Sequence, residues 1–186
     1  MLAETDCCCH VVVPGKYLEK NGRVPGNVIV KALLQYLLNI KAMKDYGYFL
    51  AVTDLKSIGS GHIEDSCGCA HFPVNFSCRI FTPIAGEIMV GIVHKVLRFG
   101  VFLKSGPMNY VYLSAQTMPN YHFEPGGENK SFLNNERSRI QIGVAIRFVI
   151  LAARWAETEG EYGVLASLVG DSLGPIALAG NDGLDI

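Results

Sequence analysis

The sequence predicts a small α+β unit followed by an all-β barrel. Three observations carry this. An apolar, helix-like stretch at residues 28–45 follows the loop signal Pro25-Gly26-Asn27 and precedes two strand-like runs. From Thr82-Pro83 onward, short strands alternate with turns and no helical stretch intervenes. Roughly five strands in about 90 residues suit a small closed barrel such as an OB fold.

Each element has its own signal. A first strand is expected at His10–Val13. Asn27 is expected to cap the helix over 28–45, and Gly47 lies just past its end. Apolar residues cover most of that helix, and Lys31, Gln35 and Asn39 form its narrow polar stripe. A helix lying on one sheet needs roughly a 100° apolar face. Either a partner covers the second side, or the helix is packed wholly within its own domain.

Tyr46–Thr53 reads as a strand, and Ile58-Gly-Ser-Gly-His-Ile63 as a glycine-punctuated hairpin turn. Phe72–Phe81 alternates Phe72, Val74, Phe76, Cys78 and Ile80 on one face, a half-buried strand. In the second unit the expected strands are Glu87–Leu97, Val101–Lys104, Tyr110–Leu113, Ser138–Arg154 and Tyr162–Leu168. Tyr121–Asn135 is polar and turn-rich and is expected to be a long loop. The boundaries are 1–81 and 82–176, with a loose tail at 177–186.

Bulk numbers exclude several classes. Hydrophobic residues make up 49% of the 186, enough for a substantial core. No apolar run approaches the ~18 residues needed to span a membrane, so no membrane association is expected. The N-terminal MLAETDCCCHVVVPG lacks a positive n-region, so a reducing intracellular compartment and free thiols are expected. Net charge is −1, which does not suit gripping duplex DNA by bulk charge.

The stretch VHKVLRFGVFLKSGP (Val93–Pro107) sets Phe99 and Phe102 around Gly100. In an unbroken strand these rings point to opposite faces. Either they are core and the spacing is incidental, or Gly100 bends the strand so that both join Tyr112 on one surface. In the second case Lys95, Arg98 and Lys104 border a stacking platform for single-stranded bases.

GEIMVGIVHKVLRFGVFLKSGPMNYVYLS resembles the opening of the RNA-binding OB barrel first described in the small-subunit ribosomal protein S-one, through Gly86, Phe99, Gly100, Phe102 and Ser114. Gly47–Ile63 (G-Y-x-x-A-V-T-x-L-x-x-I-G-x-G-x-I) followed by F-P-V-x-F at Phe72–Phe76 is similar to the seventh-subunit family of eukaryotic RNA polymerases, which has an archaeal counterpart. The junction FTPIAGEI and the ending ASLVGDSLGPI fit the same family. PGGEN at Pro125–Asn129 and SRIQIG at Ser138–Gly143 look closest to the plant-specific polymerase IV and V forms.

The resemblance implies a truncated RNP-like domain followed by an OB barrel of the S-one type, in a nuclear, non-catalytic stalk subunit without cofactors. Its partners would be the polymerase's fourth subunit, the core including the largest subunit, and nascent single-stranded RNA. A role in RNA-directed DNA methylation is implied with the plant forms. It makes Phe99, Phe102, Tyr112, Lys95, Arg98 and Lys104 RNA contacts. Ile58, Gly59 and Gly61 become a docking tip. The excess apolar face of the helix makes Leu34 and Leu38, with the strand near Tyr48, the expected partner face. A free-standing RNA-binding adaptor of translation or RNA decay is the other reading of the barrel.

Cys7-Cys8-Cys9-His10 and Cys67-Gly-Cys69-Ala-His71 invite a zinc reading, but neither has the spacing of structural zinc sites, and no metal is expected. No nucleophile–base arrangement is readable. Glu157, Glu159 and Glu161 read as a solvated hairpin tip.

Overall fold

Alternation decides the first sheet. The computed structural model describes residues 1–19, 23–64, 68–126 and 130–176. The tail expected at 177–186, Cys67 and the last three residues of PGGEN lie outside them. Contacts divide the chain into Met1–Thr82 and a second unit beginning at Pro83.

The first unit contains β1 (Leu2–Val13), α1 (Gly26–Ile40), β2 (Ala42–Met43), β3 (Gly47–Ile58), β4 (His62–Glu64) and β5 (Cys69–Phe81). The sheet order is β1-β5-β3-β2, with β4 also on β5 and every pairing antiparallel. On β5 Val74, Phe76, Cys78 and Ile80 are buried, as the period-two pattern requires. β1 meets them with Cys7, Val11 and Val13, and α1 covers both with Ile29, Leu33 and Leu37. Those helix positions recur at i, i+4 and i+8, one stripe down the helix.

Several boundaries differ from expectation. The first strand begins eight residues earlier, at Leu2, and runs through the cysteines, because it pairs with β5 along its whole length, from Leu2 opposite Phe81 to Val13 opposite Ala70. Pro25, not Asn27, is the helix N-cap; Asn27 lies in the first turn. The helix stops at Ile40, where Lys41 takes φ 58° and its N–H bonds Leu37 O. Gly47 instead opens β3, where a Cβ would fall 2.5 Å from Phe81 O.

The glycines at 59 and 61 do not form a hairpin turn. Ile58 is opposite Val74 and His62 is opposite His71, so three residues face two on β5. That is a bulge within a strand path continuing in one direction. Gly59 N–H still bonds Pro73 O at 2.8 Å. The chain reverses only after Glu64, whose carbonyl accepts from Gly68 N–H.

The second unit contains β6 (Ile88–Leu97), β7 (Gly100–Ser105), β8 (Met108–Ser114), β9 (Tyr121–Glu124), β10 (Ser131–Asn134), β11 (Arg139–Ile140), β12 (Ala145–Ala156), β13 (Glu161–Ser167) and β14 (Gly174–Ile176). β6, β7, β8, β13 and β12 pair in that order, and β12 returns to β6, closing a five-stranded barrel. β8 and β13 run parallel; the other four pairings are antiparallel. Val101, Leu103, Val111, Leu113, Ile146 and Phe148 fill its interior. The expected long loop instead folds into a small sheet, β11-β10-β9. Phe132 and Phe123 meet there edge-on at 5.5 Å. The expected strand Ser138–Arg154 is therefore two, β11 and β12. Among the described residues no helix is long and apolar enough to cross a membrane.

Candidate nucleic-acid interface

One row of outward-facing side chains crosses four barrel strands. Lys95 on β6 is opposite Phe102 on β7, Phe102 is opposite Tyr112 on β8, and Tyr112 is level with Leu165 on β13. Val101, Leu103, Val111 and Leu113 are inside, so alternation turns Phe102 and Tyr112 outward. Their rings lie 5.1 Å apart at 42°. His94, which occupies a bulge in β6, brings its ring within 6.3 Å of Phe102.

Gly100 makes this row possible. A Cβ there would stand 2.4 Å from Leu113 O and 2.9 Å from the Tyr112 ring. Glycine lets the tyrosine lie across β7, and its hydroxyl donates to the carbonyl of Phe99 at 2.8 Å. Ala115 N–H donates to the same carbonyl at 2.9 Å. Phe99 is therefore clamped by its backbone in the turn before β7, while its side chain is 72% exposed. The two phenylalanines are not strand neighbours: Phe102 belongs to the row, Phe99 to the turn at its end.

The cations surround this face. The Arg98 guanidinium stands 5.9 Å from the Phe99 ring centre, a cation–π distance. Lys104 is two residues along β7 from Phe102, on the same outward parity, opposite Ile92. On the far side an open groove of about 430 Å³ is lined by Phe102, Tyr110, Tyr112, Leu165 and Arg154, among others. Gly163 lies opposite Arg154 and contributes no side chain, which leaves the groove floor open. Tyr110, Leu165 and His94 were not singled out from sequence. The alternation Tyr110–Tyr112 signals the first; the other two depend on long-range pairing and a bulge. Arg147, also basic and on β12, is opposite Val90 and Gly174 instead.

This arrangement offers adjacent π-faces, a shallow apolar groove and flanking positive charge. That chemistry suits stacking of unpaired bases. The buried Nε2 of His94 has no hydrogen-bond partner among the described residues.

In the first unit the expected contact residues separate. Leu34 and Leu38 project from α1 at 45% and 75% exposure, away from the buried Ile29–Leu33–Leu37 stripe. Tyr48 does not belong with them: it is 1% exposed and its ring packs near Phe81. Its strand partner Phe81 is buried as well, and the two side chains share one face of the sheet. Ile58 is half-buried and packs on the α1 core, whereas Gly59 and Gly61 are exposed. Neither glycine has a positive φ. Their constraint is close approach: a Cβ on Gly61 would overlap the Phe72 ring at 2.3 Å, and one on Gly59 would reach Pro73 at 2.7 Å. Among the described residues no group of three or more His, Cys, Asp or Glu could hold a metal ion.

No protein-family profile matches the chain. It is 43% identical over 168 residues to DNA-directed RNA polymerase V subunit 7 of Arabidopsis thaliana, covering 90% of this chain and 94% of that protein. It is 46% identical to polymerase IV subunit 7 of the same plant, covering 89% and 94%. Subunit RPB7 of Glycine max polymerase II is 30% identical, covering 76% and 85%. A solved exosome complex RNA-binding protein aligns at 22% identity and a TM-score of 0.37 over 53% of this chain and 50% of its own, too low to speak to the fold. The near full-length relatives establish that the chain belongs to the seventh-subunit, or stalk-subunit, family of DNA-directed RNA polymerases, and that it is more similar to the plant polymerase IV and V members than to the polymerase II member.

Proposed function

We propose that this protein is the non-catalytic stalk subunit of a nuclear polymerase of the plant IV/V type, and that its barrel guides nascent single-stranded RNA. The observation that carries the RNA role is the outward row Lys95–Phe102–Tyr112, with the Phe99 turn clamped at its end. Phe102 and Tyr112 offer π-faces to bases of any identity, and Lys95, Arg98, Lys104 and Arg154 flank them for phosphates. The barrel's strand order, with its one parallel pairing between the third and last strands, supports an OB fold. The helix-covered antiparallel sheet of the first unit supports a truncated RNP-like domain.

That first unit is the docking part. Leu34 and Leu38 form an apolar strip for the fourth subunit, and the bulge at Ile58, Gly59 and Gly61 meets the polymerase core, including the largest subunit. The family places the protein's work in transcription, and the plant IV/V likeness points to RNA-directed DNA methylation and gene silencing. No cofactor is required by this role. The experiment is affinity purification of the tagged chain from nuclei. Recovery of a fourth subunit and of a polymerase IV or V largest subunit is expected; recovery of ribosomes or decay enzymes without polymerase would overturn the reading.

A further inference from the structure

Two of the cysteines stand apart from the polymerase role. Cys7 on β1 and Cys78 on β5 are separated by 71 positions in sequence, yet their sulfurs are 3.3 Å apart. Cys7 is 7% exposed and Cys78 0%, and both are free thiols. They lie in the core cluster beneath Leu33 and Leu37 of α1. The register sets Cys7 opposite Phe76 and Cys78 opposite Thr5, so the two are diagonal neighbours across one strand boundary. Cys8, by contrast, is exposed, and period-two alternation turns it to the other face of the sheet.

We propose that Cys7 and Cys78 form an oxidisable dithiol that a hydroperoxide converts to a reversible cross-strand disulfide, joining the first strand to the centre of the sheet. The step balances. One thiolate attacks a peroxide oxygen, the O–O bond breaks, and water leaves once the departing oxygen is protonated. The resulting sulfenic acid is attacked by the second thiolate, the S–O bond breaks, and a second water leaves. Two thiols and one hydrogen peroxide give one disulfide and two waters. Proximity favours this outcome, because a sulfenic acid formed at either position already touches its resolving thiol.

The environment also sets the character of the bond. Burial raises the Cys7 thiol and pushes Cys78 up to about 12, so the thiolate fraction at neutral pH is small and oxidation is slow. Closing the sulfurs from 3.3 Å to the ~2.05 Å of a disulfide pulls the two side chains together across the strand boundary. Reduction by a dithiol breaks the bond and returns both thiols, which makes the change reversible.

The test uses the full chain, purified reduced, exposed to graded hydrogen peroxide and mapped by non-reducing peptide mass spectrometry. A Cys7–Cys78 linked peptide, 2 Da lighter than its two free parts (about two hydrogens by the balance above) and released by dithiothreitol, is expected. In Cys78→Ala, dimedone should trap a sulfenic acid at Cys7 that wild type does not accumulate. If wild type at the same exposure carries oxidised Cys8 or Cys9 but no linkage between 7 and 78, the proposal is wrong. That mapping needs no variant to fold, and its outcome is independent of RNA binding and polymerase assembly.

Discussion

The hydroxyl of Tyr112 donates to the backbone carbonyl of Phe99 across 2.8 Å. This bond passes over Gly100, where any larger residue would strike the tyrosine ring. One contact therefore joins an outward aromatic on β8 to the exposed turn that opens β7, and it fixes the position of both.

Gly100→Ala should disturb this corner directly. The new Cβ would meet Leu113 O at 2.4 Å, and backbone cannot swing aside as a side chain can. Strain of this kind costs about 1–3 kcal/mol. Denaturant melts of the barrel should show that loss, while Gly106→Ala, with open space around it, serves as the comparison at another positive φ.

On α1, depth decides the effect of a substitution. Leu33 is 1% exposed, so Leu33→Ala should destabilise the first unit by about 2–5 kcal/mol. Leu38 is 75% exposed, so Leu38→Asp should change stability by no more than about 0.5 kcal/mol. The same Leu38 variant should nevertheless fail to pair with a fourth subunit in a pull-down. Normal pairing would remove the helix strip from the interface.

At the β3–β4 bulge, Gly59→Val and Gly61→Val press on Pro73 and Phe72. Both neighbours are half-buried side chains in the first half of β5, so an overpacking cost of about 1–3 kcal/mol is expected. Incorporation into polymerase should fall further than that, when measured by co-purification with the largest subunit at a temperature where circular dichroism shows the variant folded. Undiminished co-purification would remove the bulge from docking.

Asp6 predicts a pH dependence. It accepts from Lys56 at 2.5 Å and from Ser77 at 2.7 Å, bonds that tie β1 to β3 and β5. The Lys56 bond, then the Ser77 bond, holds its carboxyl below the usual range. A depressed carboxyl contributes stability that is complete above its unfolded pKa and disappears as pH falls through the folded one. Wild type and Asp6→Asn should therefore melt differently at neutral pH and converge in acid. A constant difference down to acid pH would contradict the role given to Asp6.

What was legible in the sequence is what strict alternation writes there. Phe72 through Ile80 named the buried face of β5, and the runs around Val101 and Tyr112 named barrel strands. The helix was legible as a helix, although its end depended on Lys41 adopting φ 58° rather than on Gly47. Long-range pairing was not legible. Nothing local to Ile58-Gly-Ser-Gly-His says that β5 continues opposite both sides of it. Tyr48 looked like a surface residue because its burial depends on Phe81, 33 positions away. The small sheet β9–β11 was missed because strands of four, four and two residues with polar partners carry little periodic signal. Cys7 and Cys78 were legible only as free thiols; their contact is a product of sheet register.

Titration of single-stranded RNA against wild type, Phe99→Ala, Phe102→Ala and Tyr112→Phe, with melting curves in parallel, tests the RNA role most directly. Stacking on an aromatic contributes about 1–3 kcal/mol, or roughly 5- to 150-fold in affinity, per base. Phe99→Ala should lose affinity on that scale without losing stability, since its side chain is 72% exposed. Tyr112→Phe keeps the ring and removes one of the two bonds to the Phe99 carbonyl, leaving that from Ala115, so a smaller loss is expected. Affinity should vary little with base identity and fall with salt by about 0.7 log units per phosphate neutralised. Unchanged affinity in folded Phe99→Ala and Phe102→Ala would mean that the aromatic row is packing or a protein contact, and that the barrel does not bind RNA there.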